Sequence, residues 1–361
     1  MRPSFFILKF IDRTLGQALA TTLPRPASPS MRPPTNILLI RPGGIGDVVL
    51  LAPAIAALKT KFPATTITVL VEKRNAGVFA MVRGIERVLR YDMPAEFLAA
   101  FRPRPDLVID TEQYHRLSAV VARLTGATTL IGFATNERAR LFHHAIPYSH
   151  DDYEAESFFR LLSPLSIHAP ASLEPPFLSI PHKAQTLVVE LLAPLAEKPF
   201  ITLFPGASIA ERRWGGERFA EVAAQLHHYG FASVVVGGTE DRAAGATIVA
   251  AAGGLNLAGQ TSLAETAAIL AQSALLISGD SGVLHLGVGL GIPTVSLFGP
   301  GIAAKWAPRG PRHRVLNQHL PCSPCTRFGY TARCPCQASC LKQITPAAVT
   351  AAALSLLTTP R

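Results

Sequence analysis

The stretch ALLISGDSGVLHLGVGL, residues 274–290, joins a short apolar run to a helix of small and apolar residues through a glycine-containing turn. The run at 274–278 is typical of a strand that is buried on both faces, as in a parallel sheet. Gly279 and Gly282 open the turn between the two elements. The pattern therefore predicts one strand–turn–helix unit of a parallel α/β sheet.

The turn of this unit is a candidate anion-binding site. Asp280 or Ser281 can cap the following helix, and the free backbone N–H groups at a helix start can hold a diphosphate. His285 follows Ser281 by four residues, which places both side chains on one face of the helix. A capped turn with a hydrogen-bonded histidine and no ligand fits the same residues, and spacing alone does not separate the two interpretations.

Length and composition indicate a globular protein of about two domains with a basic surface. Hydrophobic residues make up 48% of the 361 positions and charged residues 16%, which is enough to build a large core. The 34 basic and 24 acidic residues give a net charge of +10, which favours an anionic partner such as a nucleotide diphosphate, a phosphorylated lipid or a membrane surface. Nucleic acid is disfavoured, because no Lys/Arg run is interleaved with aromatic residues. A basic surface without any such partner remains open.

The N-terminal segment predicts a peripheral helix and not a membrane span. No apolar run reaches the ~18 residues that a spanning helix needs, and residues 5–13 are too interrupted by charge for a signal peptide. They favour a short amphipathic basic helix, which either lies on a membrane surface or packs on its own protein. A proline-rich linker is predicted at 14–35. We therefore expect a cytoplasmic protein, in peripheral contact with a membrane if that helix binds lipid.

All five cysteines fall close together near the C-terminus, in a CxxC, a CxC and one further position. An odd number in a cytoplasmic chain argues against a disulfide framework, and no partner set with strong metal-ligand spacing accompanies them. We predict a reduced structural cluster without metal, with a zinc or iron–sulfur site as the alternative. The residues are Cys322, Cys325, Cys334, Cys336 and Cys340.

Alternating strand and helix patterns predict two doubly wound parallel-sheet domains of Rossmann-like type, which face each other across a cleft. The first opens with a strand at 36–40, a glycine-rich turn at 41–47 and a helix at 48–61. This opening lacks the GxGxxG fingerprint, so a nicotinamide cofactor is not supported. The same pattern restarts at residue 200. We predict an N-terminal helix and linker at 1–35, domains at 36–180 and 181–344, and a C-terminal helix at 345–361.

Polar residues at the ends of predicted strands are the candidates for chemistry in that cleft. Asp47 is ionised at neutral pH and can accept a proton from an attacking hydroxyl, or it can cap its own helix. Arg212 and Arg213 can neutralise a departing diphosphate, or they form part of a solvated surface. Glu240 can accept hydrogen bonds from ribose hydroxyls, or it is only an acidic residue at a helix start.

Three segments resemble the motifs of glycosyltransferase family 9, the ADP-heptose:lipopolysaccharide heptosyltransferases. They are NILLIRPGGIGDVVLLAPA at 36–54, FPGAS with RRW and FA at 204–220, and GDSG with a histidine and then LFGP at 279–300. The resemblance covers roughly residues 36–350 in the family's order and spacing, including CSPC at 322–325. It implies a GT-B fold, in which the N-terminal domain takes the lipid-linked acceptor and the C-terminal domain takes the nucleotide sugar.

The resemblance also implies an activity and roles for residues. The activity is an inverting, metal-independent transfer of heptose from ADP-heptose to the lipopolysaccharide core at the inner membrane, without a cofactor and with Asp47 as the general base. The implied donor and phosphate site consists of Ser208, Arg212, Glu240, Asp280, Ser281, Gly282 and His285, and the acceptor-side loop consists of Gly43, Gly44 and Gly46.

One residue departs from the family pattern, which usually has lysine where this chain has Arg212. The positive charge is kept, but a point donor is replaced by a planar fork, so the donor sugar stays open. A glycosyltransferase of the same fold that uses another nucleotide sugar in surface polysaccharide synthesis is one alternative. A non-catalytic nucleotide-sugar-binding protein is another. A nucleotide-sugar epimerase or dehydrogenase is disfavoured by the missing dinucleotide fingerprint.

Overall fold

Two six-stranded, all-parallel sheets form the framework of this protein. The computed structural model describes residues 9–29, 32–328, 330–331 and 333–358. The chain divides into two compact units, Met1–Leu173 and Glu174–Arg361, and the division falls within the proline-rich segment at 170–181. Each unit has helices between its parallel strands, which confirms the prediction of two doubly wound α/β domains.

The first unit has the strand order β3-β2-β1-β4-β5-β6. The strand order reverses between β1 and β4, which makes this position the topological switch point of the sheet. Ligands of such sheets bind beside the carboxyl ends of the strands at the switch point. In chain order the elements are α1 (Gln17–Thr22), β1 (Asn36–Arg41), α2 (Ile45–Lys61), β2 (Thr66–Val71), α3 (Lys73–Phe79), β3 (Arg87–Arg90), α4 (Pro94–Ala99), β4 (Leu107–Asp110), α5 (Arg116–Leu124), β5 (Thr129–Phe133), β6 (His144–Ile146) and α6 (Glu154–Leu161).

The N-terminal segment is an integral part of the first unit. Residues 9–22 are helical, with a π-helical stretch at Asp12–Gly16, so the prediction of a linker from residue 14 onward is wrong for residues 14–22. The sequence has no proline between residues 4 and 23, so the helix can continue as far as Thr22. Ala20 is fully buried in the core of the unit. The described part of the helix thus packs on its own protein, while residues 5–8 of the predicted amphipathic helix lie outside the described residues.

The second unit has the order β12-β11-β10-β7-β8-β9, with its switch point between β7 and β10. The pattern of the sequence does not predict the edge strands β9 and β12, because their residues are only partly buried and carry little apolar signal. The elements are α7 (His182–Leu192), β7 (Phe200–Phe204), α8 (Gly216–His227), β8 (Ala232–Val235), α9 (Arg242–Ala252), β9 (Leu255–Asn256), α10 (Leu263–Gln272), β10 (Leu275–Gly279), α11 (Gly282–Gly289), β11 (Thr294–Phe298), α12 (Ala303–Trp306), β12 (His313–Asn317), β13 (Thr326–Arg327), β14 (Tyr330–Thr331), α13 (Ser339–Lys342) and α14 (Pro346–Leu357).

The C-terminal helix α14 packs back on the second unit. Thr345 caps it by accepting a hydrogen bond from the N–H of Ala348, and a proline follows at the first helical position. Val349 and Ala353 are fully buried in the same core as Trp214. In the part of the chain that the structure describes, no helix is both long and apolar enough to cross a bilayer.

Candidate active site

The switch point of the first unit carries Asp47. β1 ends at Arg41, and a short loop then leads into α2, in which Asp47 belongs to the first turn. Gly44 occupies the N-cap position and no side chain accepts a hydrogen bond there, so Asp47 does not cap its own helix. Gly43 has φ +106°, a conformation that favours glycine. A Cβ atom at Gly44 would lie 2.3 Å from Oδ2 of Asp47, so this glycine gives the carboxylate its place over the turn.

Arg41 and Gln113 hold the carboxylate of Asp47 from one side. Nε2 of Gln113 donates to Oδ1 at 3.0 Å, and Nη1 of Arg41 lies 3.7 Å from the same oxygen. No hydrogen bond or ion pair from the described residues reaches Oδ2. The side chain of Asp47 is 17% exposed, whereas that of Arg41 is 2% exposed. One oxygen of a partly exposed carboxylate is therefore fixed, and the other remains available to a ligand.

A buried polar network surrounds this pair. Arg41 donates to the carbonyl of Thr111 at 2.7 Å and to Glu112 Oε2 at 3.3 Å. Burial alone lowers the pKa of Arg41, but the charges of Asp47, Glu112 and further carboxylates raise it by more. For Glu112 the directions are reversed: burial raises its pKa, but the charges of Arg41 and other cations lower it below the usual value. Both groups are therefore charged at neutral pH, and Arg41 is the shared counter-ion of Glu112 and Asp47.

The switch point of the second unit is the turn between β10 and α11. The hydroxyl of Ser281 caps α11 by accepting a hydrogen bond from the N–H of Leu284 at 3.2 Å, and it lies 2.8 Å from the hydroxyl of Ser278. The cap is therefore Ser281 and not Asp280. Gly282 is the first residue of the helix, and the backbone N–H groups of this first turn are those for which the sequence predicts anion binding.

Three buried polar atoms beside this turn lack a hydrogen-bond partner among the described residues. They are Oδ2 of Asp280, Nε of Arg212 and Nδ1 of His285. Asp280 and Arg212 do form an ion pair at 3.0 Å, but its geometry is not that of a hydrogen bond. A Cβ atom at Gly301 would lie 2.0 Å from Oδ2 of Asp280, so the loop after β11 also closes on this carboxylate. Unsatisfied polar atoms are rare in protein interiors, and several in one place indicate a ligand site.

His285 enters this group as a neutral side chain. It is 3% exposed, and its ring lies edge-on to Trp306 with centroids 6.3 Å apart. Burial lowers its pKa to about 4, which the charge of Asp280 only partly opposes. At neutral pH it can therefore donate one hydrogen bond and accept another, but it adds no positive charge to the site.

The comparisons with known proteins agree with this architecture. A sequence model described as glycosyltransferase family 9 (heptosyltransferase) matches residues 102–334, which is more than half of the chain. The chain belongs to glycosyltransferase family 9. It is 26% identical over 317 residues to lipopolysaccharide heptosyltransferase 2 of Salmonella typhimurium, covering 78% of this chain and 87% of that protein.

Two solved structures share the fold of this family 9 protein over nearly its whole length. The E. coli ADP-heptose lipopolysaccharide heptosyltransferase II has a TM-score of 0.72 and 23% identity, and the match covers 89% of this chain and 98% of that one. A glycosyltransferase family 9 protein from Veillonella parvula has a TM-score of 0.73 and 20% identity, with 90% and 97% covered. These matches confirm the GT-B type of α/β fold, and the family membership confirms that the chain is a glycosyltransferase.

The remaining donor-site candidates of the family 9 chain are more exposed. Ser208 is exposed in the loop after β7, and Glu240 is exposed in a short helical turn after β8. Its neighbour Asp241 is buried, and its carboxylate accepts a hydrogen bond from the N–H of Gly238 at 2.9 Å. A Cβ atom at Gly206, in the loop after β7, would lie 2.5 Å from both oxygens of the same carboxylate. Asp241 therefore joins the loops after β7 and β8, a role that the sequence pattern does not assign to it.

The five cysteines of this family 9 chain are free thiols. Four of them, all except Cys336, line a cavity of about 70 Å³ with Pro300 and Arg333. Burial and the neighbouring thiols raise the pKa values of Cys325 and Cys340, which keeps both protonated. Within the described ranges, no group of three or more His, Cys, Asp or Glu side chains has an arrangement that could hold a metal ion. Metal independence stays a prediction.

The structure also adds residues that sequence reasoning missed. Glu112 and Gln113 follow β4, which neighbours β1 in the sheet. A polar pair shortly after an apolar strand is a sequence signal that could have placed them near Asp47. Glu154 starts α6 and is fully buried, and Tyr148 donates a hydrogen bond to it at 3.1 Å. No local pattern links either residue to Asp47, because both come from a distant part of the chain. Gly46, which the sequence predicts in the acceptor-side loop, is instead buried in the first turn of α2, because the helix begins at Ile45.

Proposed function

We propose that this chain transfers heptose from ADP-heptose to the core of lipopolysaccharide, with inversion at the anomeric carbon and without a metal ion, and that Asp47 is the general base. The names of the relatives support these substrates. Two further structures of the same fold are E. coli heptosyltransferases solved with ADP and with an ADP-heptose analogue, at TM-scores of 0.66 and 0.65. The observation that carries the mechanism is the carboxylate of Asp47, anchored at Oδ1 by Gln113 and Arg41 and open at Oδ2.

The proposed step is a single displacement. The acceptor hydroxyl gives its proton to Oδ2 of Asp47 while its oxygen forms a bond to the anomeric carbon of heptose. The bond from that carbon to the diphosphate oxygen breaks on the opposite side, and ADP leaves with the electron pair. Inversion follows from one displacement, and a positioned general base typically contributes 10²–10⁴-fold in rate.

The second unit supplies the groups that stabilise the leaving ADP. Backbone N–H groups at the start of α11 and the guanidinium of Arg212 are positive, and we assign them to the diphosphate. Ser208 and Glu240 are assigned to the phosphates and the ribose. The planar guanidinium of Arg212 replaces the lysine that is usual in the family. The identity of the sugar donor is therefore the part of this proposal that most needs a direct test. The cytoplasmic location and the contact with the inner membrane stay predictions from the sequence.

The test is an assay of ADP release with a panel of nucleotide sugars and a deacylated core saccharide as acceptor. Asp47→Asn keeps the size of the side chain and removes the base, so we expect kcat to fall by about 10²–10⁴-fold with unchanged ADP affinity. Asp92→Asn, on the exposed Asp92, is the matched control and should retain full activity. Turnover of a UDP- or GDP-sugar with inert ADP-heptose would refute the donor, and full activity of Asp47→Asn would refute the base.

A further inference from the structure

A second carboxylate lies next to the proposed base, and one amide separates the two. Glu154, at the start of α6, is fully buried. Nε2 of Gln113 donates to Oε1 of Glu154 at 2.5 Å and to Oδ1 of Asp47 at 3.0 Å. The two N–H groups of this one amide nitrogen therefore bridge the two carboxylates, with one N–H group donated to each.

The orientation of the Gln113 side chain is determined by its partners. Its Oε1 accepts a hydrogen bond from Nη2 of Arg41 at 3.1 Å, so the acceptor faces a cation and both donors face carboxylates. A flipped amide would point its oxygen at two carboxylates and its N–H groups at a guanidinium. The side chain is 8% exposed, which leaves little room for another arrangement. Every hydrogen-bonding group of the amide except one acceptor lone pair is thus used within the network.

The charges around Asp47 make this separation important. The guanidinium of Arg41 compensates the charges of Asp47, Glu112 and Glu154 together. Close carboxylates that lack such compensation share a proton, which raises one pKa of the pair. Arg41 on β1 interacts with both Asp47 and Glu154, and Tyr148 before α6 donates a hydrogen bond to Glu154. Arg41 also pairs with Glu112 after β4, and Glu112 in turn interacts with His115 and Arg138, which pairs with Asp110.

We propose that Gln113 is a positioning residue, whose amide keeps Asp47 and Glu154 apart and prevents them from sharing a proton. Because this amide holds Oδ1 of Asp47, the other oxygen, Oδ2, is directed to the acceptor hydroxyl. An amide can do this because it donates to both carboxylates but does not titrate. The inference rests on the proposed role of Asp47 as general base.

The experiment is the pH dependence of kcat/KM for the acceptor in the full-length enzyme. Gln113→Glu keeps the shape but places an acid between the two carboxylates, and Gln113→Ala removes the separator. In both variants we expect the acid limb of the profile to move up by about one pH unit or more. The KM for ADP-heptose should stay within about twofold, since that site lies in the second unit.

A second substitution distinguishes proton sharing from a loss of structure. In Gln113→Ala with Glu154→Gln, the neighbouring carboxylate is gone, so the acid limb should return toward the wild-type position. Gln225→Glu adds an exposed charge in the second unit and should leave the profile unchanged.

The outcomes separate this inference from the function on which it rests. If Asp47→Asn is inactive and the acid limb does not move in either Gln113 variant, the inference is wrong and the general base stands. If the limb moves in Gln113→Ala but the added Glu154→Gln does not restore it, the amide acts only through packing, which also overturns the inference. Full activity of Asp47→Asn would instead overturn the proposed function.

Discussion

Substitution of Asp12 tests whether the N-terminal helix is part of the folded first unit. Oδ1 of Asp12 accepts hydrogen bonds from the backbone N–H groups of Arg116 and Leu117, both at 2.8 Å. These groups are at the start of α5, whose own N-cap residue His115 makes no side-chain cap. Asp12 therefore caps, from another part of the chain, a helix that would otherwise begin with unsatisfied donors.

The magnitude of the Asp12→Ala effect follows from these two bonds. Loss of the acceptor for a buried donor costs about 1–3 kcal/mol for each group. Both N–H groups are only partly buried, so water can reach them in the variant, and we expect a total of about 2–3 kcal/mol. For a unit of this size that corresponds to a fall of about 4–12 °C in its transition temperature. Burial raises the pKa of Asp12, but the hydrogen bond with His115 and the two backbone hydrogen bonds lower it by more. The stabilisation that the Asp12 carboxylate provides is therefore lost only as the pH falls through that lowered pKa. A measurement at pH 7 captures it fully.

Scanning calorimetry with hydrogen exchange of the α5 amides measures the effect. Both tryptophans of the chain, Trp214 and Trp306, belong to the second unit, so their fluorescence transition should not move and serves as an internal reference. The matched control is Asp92→Ala, which removes a single exposed hydrogen bond to the N–H of Lys73 at 3.2 Å. A shift no larger than that of the control would refute the reasoning, and Asp12 would then contribute no stabilising cap to α5.

Two further outcomes test the two sites. Gly44→Ala would place a Cβ atom 2.3 Å from Oδ2 of Asp47 and so displace the carboxylate; we expect kcat to fall at least tenfold with unchanged ADP binding by calorimetry, and an unchanged kcat would contradict the placement of Asp47. The second unit should lose stability as the pH falls from about 6.5 toward 4, because buried His285, with its pKa lowered to about 4, stays neutral when folded but takes up a proton when unfolded. At pH 5 the contribution of His285 amounts to about 2 kcal/mol relative to pH 7, measured by tryptophan fluorescence in denaturant. Burial also lowers the pKa of His313 in the same unit to about 4, so His285→Gln should reduce the loss and not abolish it, and an equal loss in this variant would contradict the role of His285.

Much of the candidate site could be predicted from the sequence because its first residues follow strands directly. Asp47 and Ser281 each lie within a few residues of an apolar run and a glycine-containing turn, and that local pattern is enough to place them at the carboxyl end of a parallel strand. The capping alternative for Asp47 could not be decided in the same way, because it depends on which backbone atom the carboxylate reaches. The structure decides it through Gly44 and Gln113.

The sequence by itself determined the two doubly wound units, since alternating apolar strands and helices of small residues bury their apolar faces in few other ways. Only the tertiary structure decided which polar groups surround Asp47. Arg41, Gln113 and Glu154 lie far apart along the chain, and sheet pairing of β1 with β4 and the packing of α6 bring them together. The physical reason is that hydrophobic periodicity reports which face of an element is buried, while the contacts of a buried charge depend on long-range packing that no local pattern records.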